Sequence, residues 1–261
     1  MIENIDKLVI NKMKKILSTN PSLAQRFFNK WSITIDNIDT QLSDYGLHGG
    51  TWSKKKSLEN LNLNGSEKIL NIGPEIGTEV FMLAELAANT SDVHILDPDS
   101  TSLTLLKDIS ELYITESNIQ ANKILKFFAY GFQMTPEKIF LEQENYKAVH
   151  TTLGRGLPTF YNLETSKSLR ELDQKYDVIY VHKILTTLKR FTDNSFTSVF
   201  STSVSELKIL LQKKGFISWT EPSSLISDDR VMVEGFNVER LVYRIPEINE
   251  EYSQYILHNI V

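Results

Sequence analysis

The chain has 261 residues, of which 41% are apolar and 23% charged, a balance that excludes a disordered, collagen-like or bare coiled-coil protein. It contains no cysteine, which removes disulfides, thiolate metal sites and cysteine nucleophiles together. With 28 basic against 33 acidic residues the net charge is −5, whereas a protein that lives on nucleic-acid phosphates carries a basic surplus.

The first eighteen residues interrupt their apolar positions with Glu3, Asp6, Lys7, Lys12, Lys14 and Lys15, so they lack the apolar core of a signal peptide. No apolar stretch reaches the ~20 residues that a membrane span needs. The expectation is a cytoplasmic protein with no membrane and no nucleic-acid partner. A homodimer is left open.

Residues 1–60 read as helical. Ile2, Ile5, Val9 and Ile16 follow a 3.6-residue period with lysines opposite, and a break comes at Thr19-Asn20-Pro21. Asn20 suits a cap and Pro21 the first position of a second helix, whose apolar stripe is Leu23, Phe27, Phe28 and Trp31. A glycine-rich loop with Tyr45, His48 and Trp52 follows, then Lys54-Lys55-Lys56, which reads as a solvated surface.

From residue 66 short apolar strands alternate with helices, the signature of βαβ units around a parallel sheet. Residues 68–72 form a buried-type strand that runs into Gly73-Pro74-Glu75-Ile76-Gly77, and residues 80–88 form the next helix. A second strand, 93–96, ends at Asp97. Ser100 caps a helix with Leu103, Leu106, Ile109 and Tyr113 on one face. Two segments compete for the third strand, 124–130 and 147–152; spacing from Asp97 favours the first and leaves an insertion over about 133–170. Residues 177–181 are another core strand. A long helix through Phe196, Val199, Phe200, Val204, Leu207 and Leu211 is stopped by Gly215, and residues 216–219 continue the sheet. Residues 240–245 and 252–257 lie too close in sequence for a parallel crossover and form an antiparallel hairpin.

A strand ending in a glycine turn, then a helix, then a second strand ending in an acid has a chemical meaning. Glycines let the backbone approach a ligand, the helix N-terminus offers free N–H groups, and an acid about twenty residues on accepts hydrogen bonds from ribose hydroxyls. The pattern points to a nucleoside-containing cofactor at the carboxyl ends of the strands. The competing reading makes Gly73 and Gly77 plain turn residues and Asp97 a helix cap.

The stretch Ile69-Leu70-Asn71-Ile72-Gly73-Pro74-Glu75-Ile76-Gly77 resembles the first motif of class I S-adenosylmethionine-dependent methyltransferases. Val93-His94-Ile95-Leu96-Asp97-Pro98 is similar to their acidic second-strand motif, and Asp177-Val178-Ile179-Tyr180-Val181-His182 to their fourth-strand motif. The turn at Lys213-Lys214-Gly215-Phe216 and the closing hairpin complete the series over residues 66–261. The resemblance implies an α/β fold: a mostly parallel, seven-stranded Rossmann-like sheet with a C-terminal antiparallel hairpin and an N-terminal helical lid. It divides the chain into a cap at 1–60 and a cofactor-binding domain at 61–261. It implies S-adenosyl-L-methionine as cofactor, held by Asn71, Gly73, Pro74, Glu75, Gly77, Asp97, Pro98, Val181 and His182.

Two departures stand out. Asn71 occupies the place of the family's usual acid, and Glu75 that of its middle glycine. A carboxylate at 75 would repel the pyrophosphate of a nicotinamide cofactor, whereas a sulfonium cofactor carries no phosphate. That favours methyl transfer over an NAD(P)-dependent oxidoreductase, and the net charge of −5 favours a small-molecule acceptor. The same motifs would also serve an aminocarboxypropyl transferase or a non-catalytic cofactor binder.

Methyl transfer needs a base only when the acceptor carries a proton to lose. His182, just after the fourth strand, and His48, in the glycine-rich loop, are the catalytic candidates; plain polar contact is the competing role for each. Tyr45, Trp52 and His150 are candidates for the acceptor site. His94 and His258 read as packing residues, and no metal-ligand spacing is present, so no metal is expected. Because residues 1–60 supply no strand, deleting residues 1–50 is expected to leave a cofactor-binding domain.

Overall fold

The computed structural model describes residues 5–42, 50–74, 78–86, 92–97, 105–106, 108–109, 124–128, 175–186, 194–226, 231–246 and 249–260. Four helices come first: α1 (Ile5–Thr19), α2 (Pro21–Trp31), α3 (Ile38–Leu42) and α4 (Gly50–Glu59). Strand β1 (Ile69–Ile72), helix α5 (Glu79–Leu86) and strands β2 (Asp92–Leu96), β3 (Ile124–Phe128) and β4 (Tyr176–His182) follow. Helix α6 (Phe196–Leu207), β5 (Leu211–Pro222), β6 (Phe236–Ile245) and β7 (Glu250–Asn259) complete the order.

The strands form one sheet in the order β3-β2-β1-β4-β5-β7-β6. Strands β3, β2, β1, β4 and β5 pair in parallel, and β7 returns antiparallel between β5 and β6. The third strand is therefore the 124–130 candidate; the 147–152 candidate and the 133–170 insertion lie outside the described residues. The central strands are buried on both faces, which is why β1 and β4 read as near-continuous apolar runs.

One face of the sheet packs under the N-terminal helices. Val9, Met13, Leu17, Leu23, Phe27 and Ile38 join Leu83 of α5 and Ile69, Val93, Ile95 and Tyr180 of the strands in a single buried cluster. The opposite face buries Leu70, Ile72, Ile179, Val181 and Trp219 under Val199, Phe200 and Val204 of α6. Helix α2 begins as its sequence dictates: the Asn20 side chain accepts the Leu23 N–H at 3.1 Å and Pro21 takes the first position. Of its apolar stripe, Phe27 is buried and Phe28 is exposed, because the helix meets the core along one narrow seam.

Gly215 does not stop a helix. Helix α6 ends at Leu207, a short 3-10 turn covers Lys208–Leu210, and β5 already starts at Leu211. The register between β4 and β5 jumps from Tyr176↔Leu211 to Val178↔Phe216, so β5 bulges outward through exposed Gln212, Lys213 and Lys214. Gly215 returns the strand into the sheet, where a Cβ would stand 2.8 Å from the Tyr176 carbonyl oxygen. Close backbone approach requires the glycine there. The hairpin strands run longer than the hydrophobic pattern suggests, since β6 is an edge strand that exposes Asn237, Glu239 and Arg244.

Candidate functional site

The parallel register aligns the carboxyl ends of three strands. Ile72 of β1 stands level with Leu96 of β2 on one side and Val181 of β4 on the other. The residues that follow, Gly73, Asp97 and His182, therefore meet along one edge of the sheet. Gly73 has φ +64, a conformation that favours glycine, and its N–H donates to the Leu96 carbonyl at 2.8 Å. A Cβ at 73 would come 3.1 Å from Ile184 Cγ2, so the turn after β1 lies directly against the turn after β4.

Asp97 is 1% exposed, more deeply buried than an acid on an open cleft. Asn71, two residues before Gly73, is wholly buried, and neither its amide nitrogen nor its oxygen has a partner among the described residues. A buried amide without partners costs stability unless something satisfies it, and this one borders the glycine turn. Pro74 and Val181 are buried. Glu75, Gly77, Pro98, Tyr45, His48 and His150 lie outside the described residues.

His182 is buried, with Nε2 3.1 Å from the Ser53 hydroxyl of α4 and its ring stacked 6.4 Å from that of Tyr180. It is thus held between the sheet and α4. His94 packs inside, with Nδ1 2.8 Å from the Tyr176 hydroxyl and the two rings edge to face. His258, read as a packing residue, is instead exposed and flanks Phe216, its neighbour on β5. Trp52 of α4 is half-buried.

The way α4 meets the sheet is hard to foresee from its residues. Lys54 is not a surface lysine: its ammonium lies 2.7 Å from Glu79 Oε2, and both side chains are buried. The Ser57 hydroxyl stands 2.6 Å from the Tyr180 phenol, and its carbonyl accepts from Gln254 Nε2 at 2.8 Å. Asn60 donates to Gln254 Oε1 at 2.8 Å, and the Tyr243 hydroxyl donates to the Ser53 carbonyl at 3.1 Å. Burial, with Glu79 nearby, raises the Tyr180 phenol well above its ordinary range, so it remains a neutral hydroxyl. Helix α4 spans the sheet from β4 to β6 through paired polar groups. The legible trace of this is the spacing of Ser53 and Ser57 along one face of α4, with Asn60 just past its end, a pattern that equally describes a face turned to water.

Two charged groups complete the edge. Lys183 follows His182 with φ +55, and its ammonium reaches the Tyr252 hydroxyl at 3.1 Å over the ring of that tyrosine. Burial lowers its pKa, while Glu250 and Glu221 oppose the shift. Glu221, near the end of β5, is buried; its Oε1 accepts from the Leu185 N–H and the Trp219 indole, each at 2.8 Å. Burial pushes its carboxyl up to about 7, against the pull of those donors and of Lys183. Nothing in the sequence marks Glu221, which reads as the polar end of an apolar strand. Among the described residues no group of three or more His, Asp or Glu is placed to hold a metal, and no helix is long and apolar enough to cross a membrane.

No protein-family model matches the chain, and no curated protein matches it in sequence. Solved structures do. A methyltransferase from Pyrococcus furiosus superposes with TM-score 0.50 at 13% identity, over 80% of this chain and 83% of that one. The chain has the fold of that methyltransferase. TrmN from Thermus thermophilus gives TM-score 0.50 at 14% identity, over 79% of this chain and 48% of that one. The N-methyltransferase NodS from Bradyrhizobium japonicum, in complex with S-adenosyl-L-homocysteine, gives TM-score 0.46 at 11% identity, over 80% and 86%. At these identities the likeness establishes the fold alone.

Proposed function

We propose that the chain is an S-adenosylmethionine-dependent methyltransferase acting on a small-molecule acceptor. The observation that carries this reading is the meeting of a left-handed Gly73, a partnerless buried Asn71 amide and a buried Asp97 at the carboxyl ends of β1 and β2. A nucleoside suits that set: an acid to accept from ribose hydroxyls, backbone free to approach, and an amide able both to donate and to accept. In this reading Asp97 holds the ribose, Asn71 and the turn from Gly73 through Pro74, Glu75 and Gly77 hold the amino-acid tail, and Pro98, Val181 and His182 wall the base. When bound, S-adenosylmethionine supplies a methyl group on a sulfonium.

The chain's own contribution is position and dryness. Residues 1–60 form the cap, with α4 pinned to the sheet by Ser53 and Ser57 and to α5 by Lys54. Residues 61–261 form the cofactor-binding domain. Trp52, with Tyr45 and His48 before it and His150 from the 133–170 insertion, is assigned to the acceptor side. His182 is assigned to orientation in preference to proton transfer, since Ser53 already engages its Nε2.

S-adenosyl-L-homocysteine at a hundred times its Kd is expected to raise Tm by roughly 5–10 °C, since a ligand bound only by the folded state adds about 2.7 kcal/mol at that ratio. NAD and NADP are expected to leave Tm unchanged in the same differential scanning measurement. A shift with the nicotinamides alone would transfer the site to the oxidoreductase reading.

Asp97→Asn keeps the shape of this buried side chain and removes its charge. It is expected to weaken S-adenosyl-L-homocysteine binding by ~1.5–3 kcal/mol, the worth of hydrogen bonds to a charged group, with a folded protein by circular dichroism. An unchanged calorimetric Kd would detach Asp97 from the ribose.

A further inference from the structure

We propose that Glu221 is a positioning residue for the cofactor turn, holding the segment after β4 so that Ile184 is pressed against Gly73. The proposal rests on the cofactor reading above and adds to it a residue from β5.

The contacts form an unbroken series. Glu221 Oε1 accepts from the Leu185 N–H at 2.8 Å, and the Trp219 indole shares that oxygen at 2.8 Å. The Lys183 N–H donates to the Thr220 carbonyl at 2.8 Å, so the residue before Glu221 grips the other end of the same segment. At that end Lys183 adopts φ +55, which a residue with a side chain holds only when its surroundings impose it. Ile184 is thereby set where a Cβ at position 73 would lie 3.1 Å from its Cγ2. Gly73 in turn is bonded to Leu96, the residue before Asp97. The end of β5 thus reaches the site through one three-residue segment.

A carboxylate suits this task for a reason of charge. Hydrogen bonds to an ionised acceptor are about twice as strong as neutral ones, and here two donors converge on one oxygen. Its cost is also visible: Glu221 is 1% exposed, and Oε2 has no partner among the described residues. Lys183 after β4 acts on it, and opposite it on β7 stands Ser253, whose hydroxyl accepts from the Arg240 guanidinium of β6; Glu250 faces Lys183. Among the described residues, the full charge that acts on Glu221 in its favour is Lys183.

The sign follows from the raised carboxyl, about 7 against 4.5. The folded state binds the proton more tightly than the unfolded one, so Glu221 favours folding fully below pH 4.5, and this contribution is lost as pH rises through about 7. The ionised form that grips Leu185 best is therefore the less stable one.

The experiment compares the full chain with Glu221→Gln, which keeps the size and one acceptor and cannot ionise, using S-adenosyl-L-homocysteine as probe. The expected result is opposite effects. At pH 8 the variant melts higher than the wild type and binds the probe about 3–10-fold more weakly, in line with the loss of charge assistance; at pH 5.5 both differences shrink. Binding to the wild type near pH 7 releases protons, read as a dependence of calorimetric heat on buffer ionisation enthalpy, and the variant shows none. Equal Kd values for the two proteins at both pH values overturn the proposal while leaving the cofactor reading intact. A variant that melts lower at pH 8 with an unchanged Kd makes Glu221 a structural residue only, which also overturns it. No binding of the probe to the wild type removes the cofactor reading and the proposal together.

Discussion

A chain lacking residues 1–50 is expected to show no cooperative unfolding transition and no binding of S-adenosyl-L-homocysteine. The reason lies in what α1 to α3 bury. Val9, Met13, Leu17, Leu23, Phe27, Ile33 and Ile38 are each at most 3% exposed and belong to the cluster that includes Val93, Ile95 and Tyr180 of the sheet. Full burial of such a side chain is worth about 1.5–3 kcal/mol, so seven of them match or exceed the ~5–15 kcal/mol by which a domain is stable. Their loss would also uncover the face of β1 and β2 that carries Ile69, Val93 and Ile95. The sequence-based expectation of an independent cofactor-binding domain rests on the strands, whereas the buried cluster favours the opposite outcome because a parallel sheet needs cover on both faces. Urea titration of the truncated chain by circular dichroism tests this. A sigmoidal transition with a native-sized slope would mean that the helices are an appendage and that α4 alone covers that face.

The legible parts of this fold were those where local chemistry and tertiary structure ask for the same residue. Strands β1 and β4 are buried on both faces, and an unbroken apolar run has few other uses. Asn20 and Pro21 start α2 through contacts within four residues, so the signal is as local as the structure. Gly73 and Asp97 were legible because strand ends in this architecture converge, and a glycine and an acid at two such ends have few joint explanations.

What was hidden depends on partners distant in sequence. Gly215 reads as a helix stop, yet its smallness answers to the Tyr176 carbonyl across the sheet, about forty residues earlier. Glu221 is separated from Leu185 by 36 positions, and Ser57 from Gln254 by 197. A serine, a glutamate or a lysine carries no mark of whether water or another side chain will satisfy it. The candidate site shows both cases: the side proposed for the cofactor rests on motif positions, while the polar layer under α4 appeared only once the helix was set on the sheet.

Replacing Lys54 by Met is expected to destabilise the protein by ~3–5 kcal/mol, although Lys54 opens a run of three lysines. Lys55 is half-buried and Lys56 is exposed, but Lys54 turns inward one helical step earlier and meets Glu79. Glu79 sits in the first turn of α5, where the helix N-terminus favours a negative charge. That partial charge does not replace a full counter-ion in a dry interior, so Lys54→Met leaves a buried carboxylate uncompensated. The double variant Lys54→Met with Glu79→Leu removes both charges and is expected to recover most of the loss, because a matched apolar pair in place of a buried ion pair is often neutral or stabilising. A double-mutant cycle in guanidinium chloride measures the coupling, expected at or above the upper end of the ~0.5–3 kcal/mol usual for residues in contact, because the double variant restores what each single change loses. A Lys54→Met variant within about 0.5 kcal/mol of the wild type, the range of ordinary surface substitutions, would return Lys54 to the surface run and detach α4 from α5. If the double variant is as stable as the wild type but binds S-adenosyl-L-homocysteine more weakly, the ion pair sets how α4 sits against α5, a task for which an apolar pair lacks the direction.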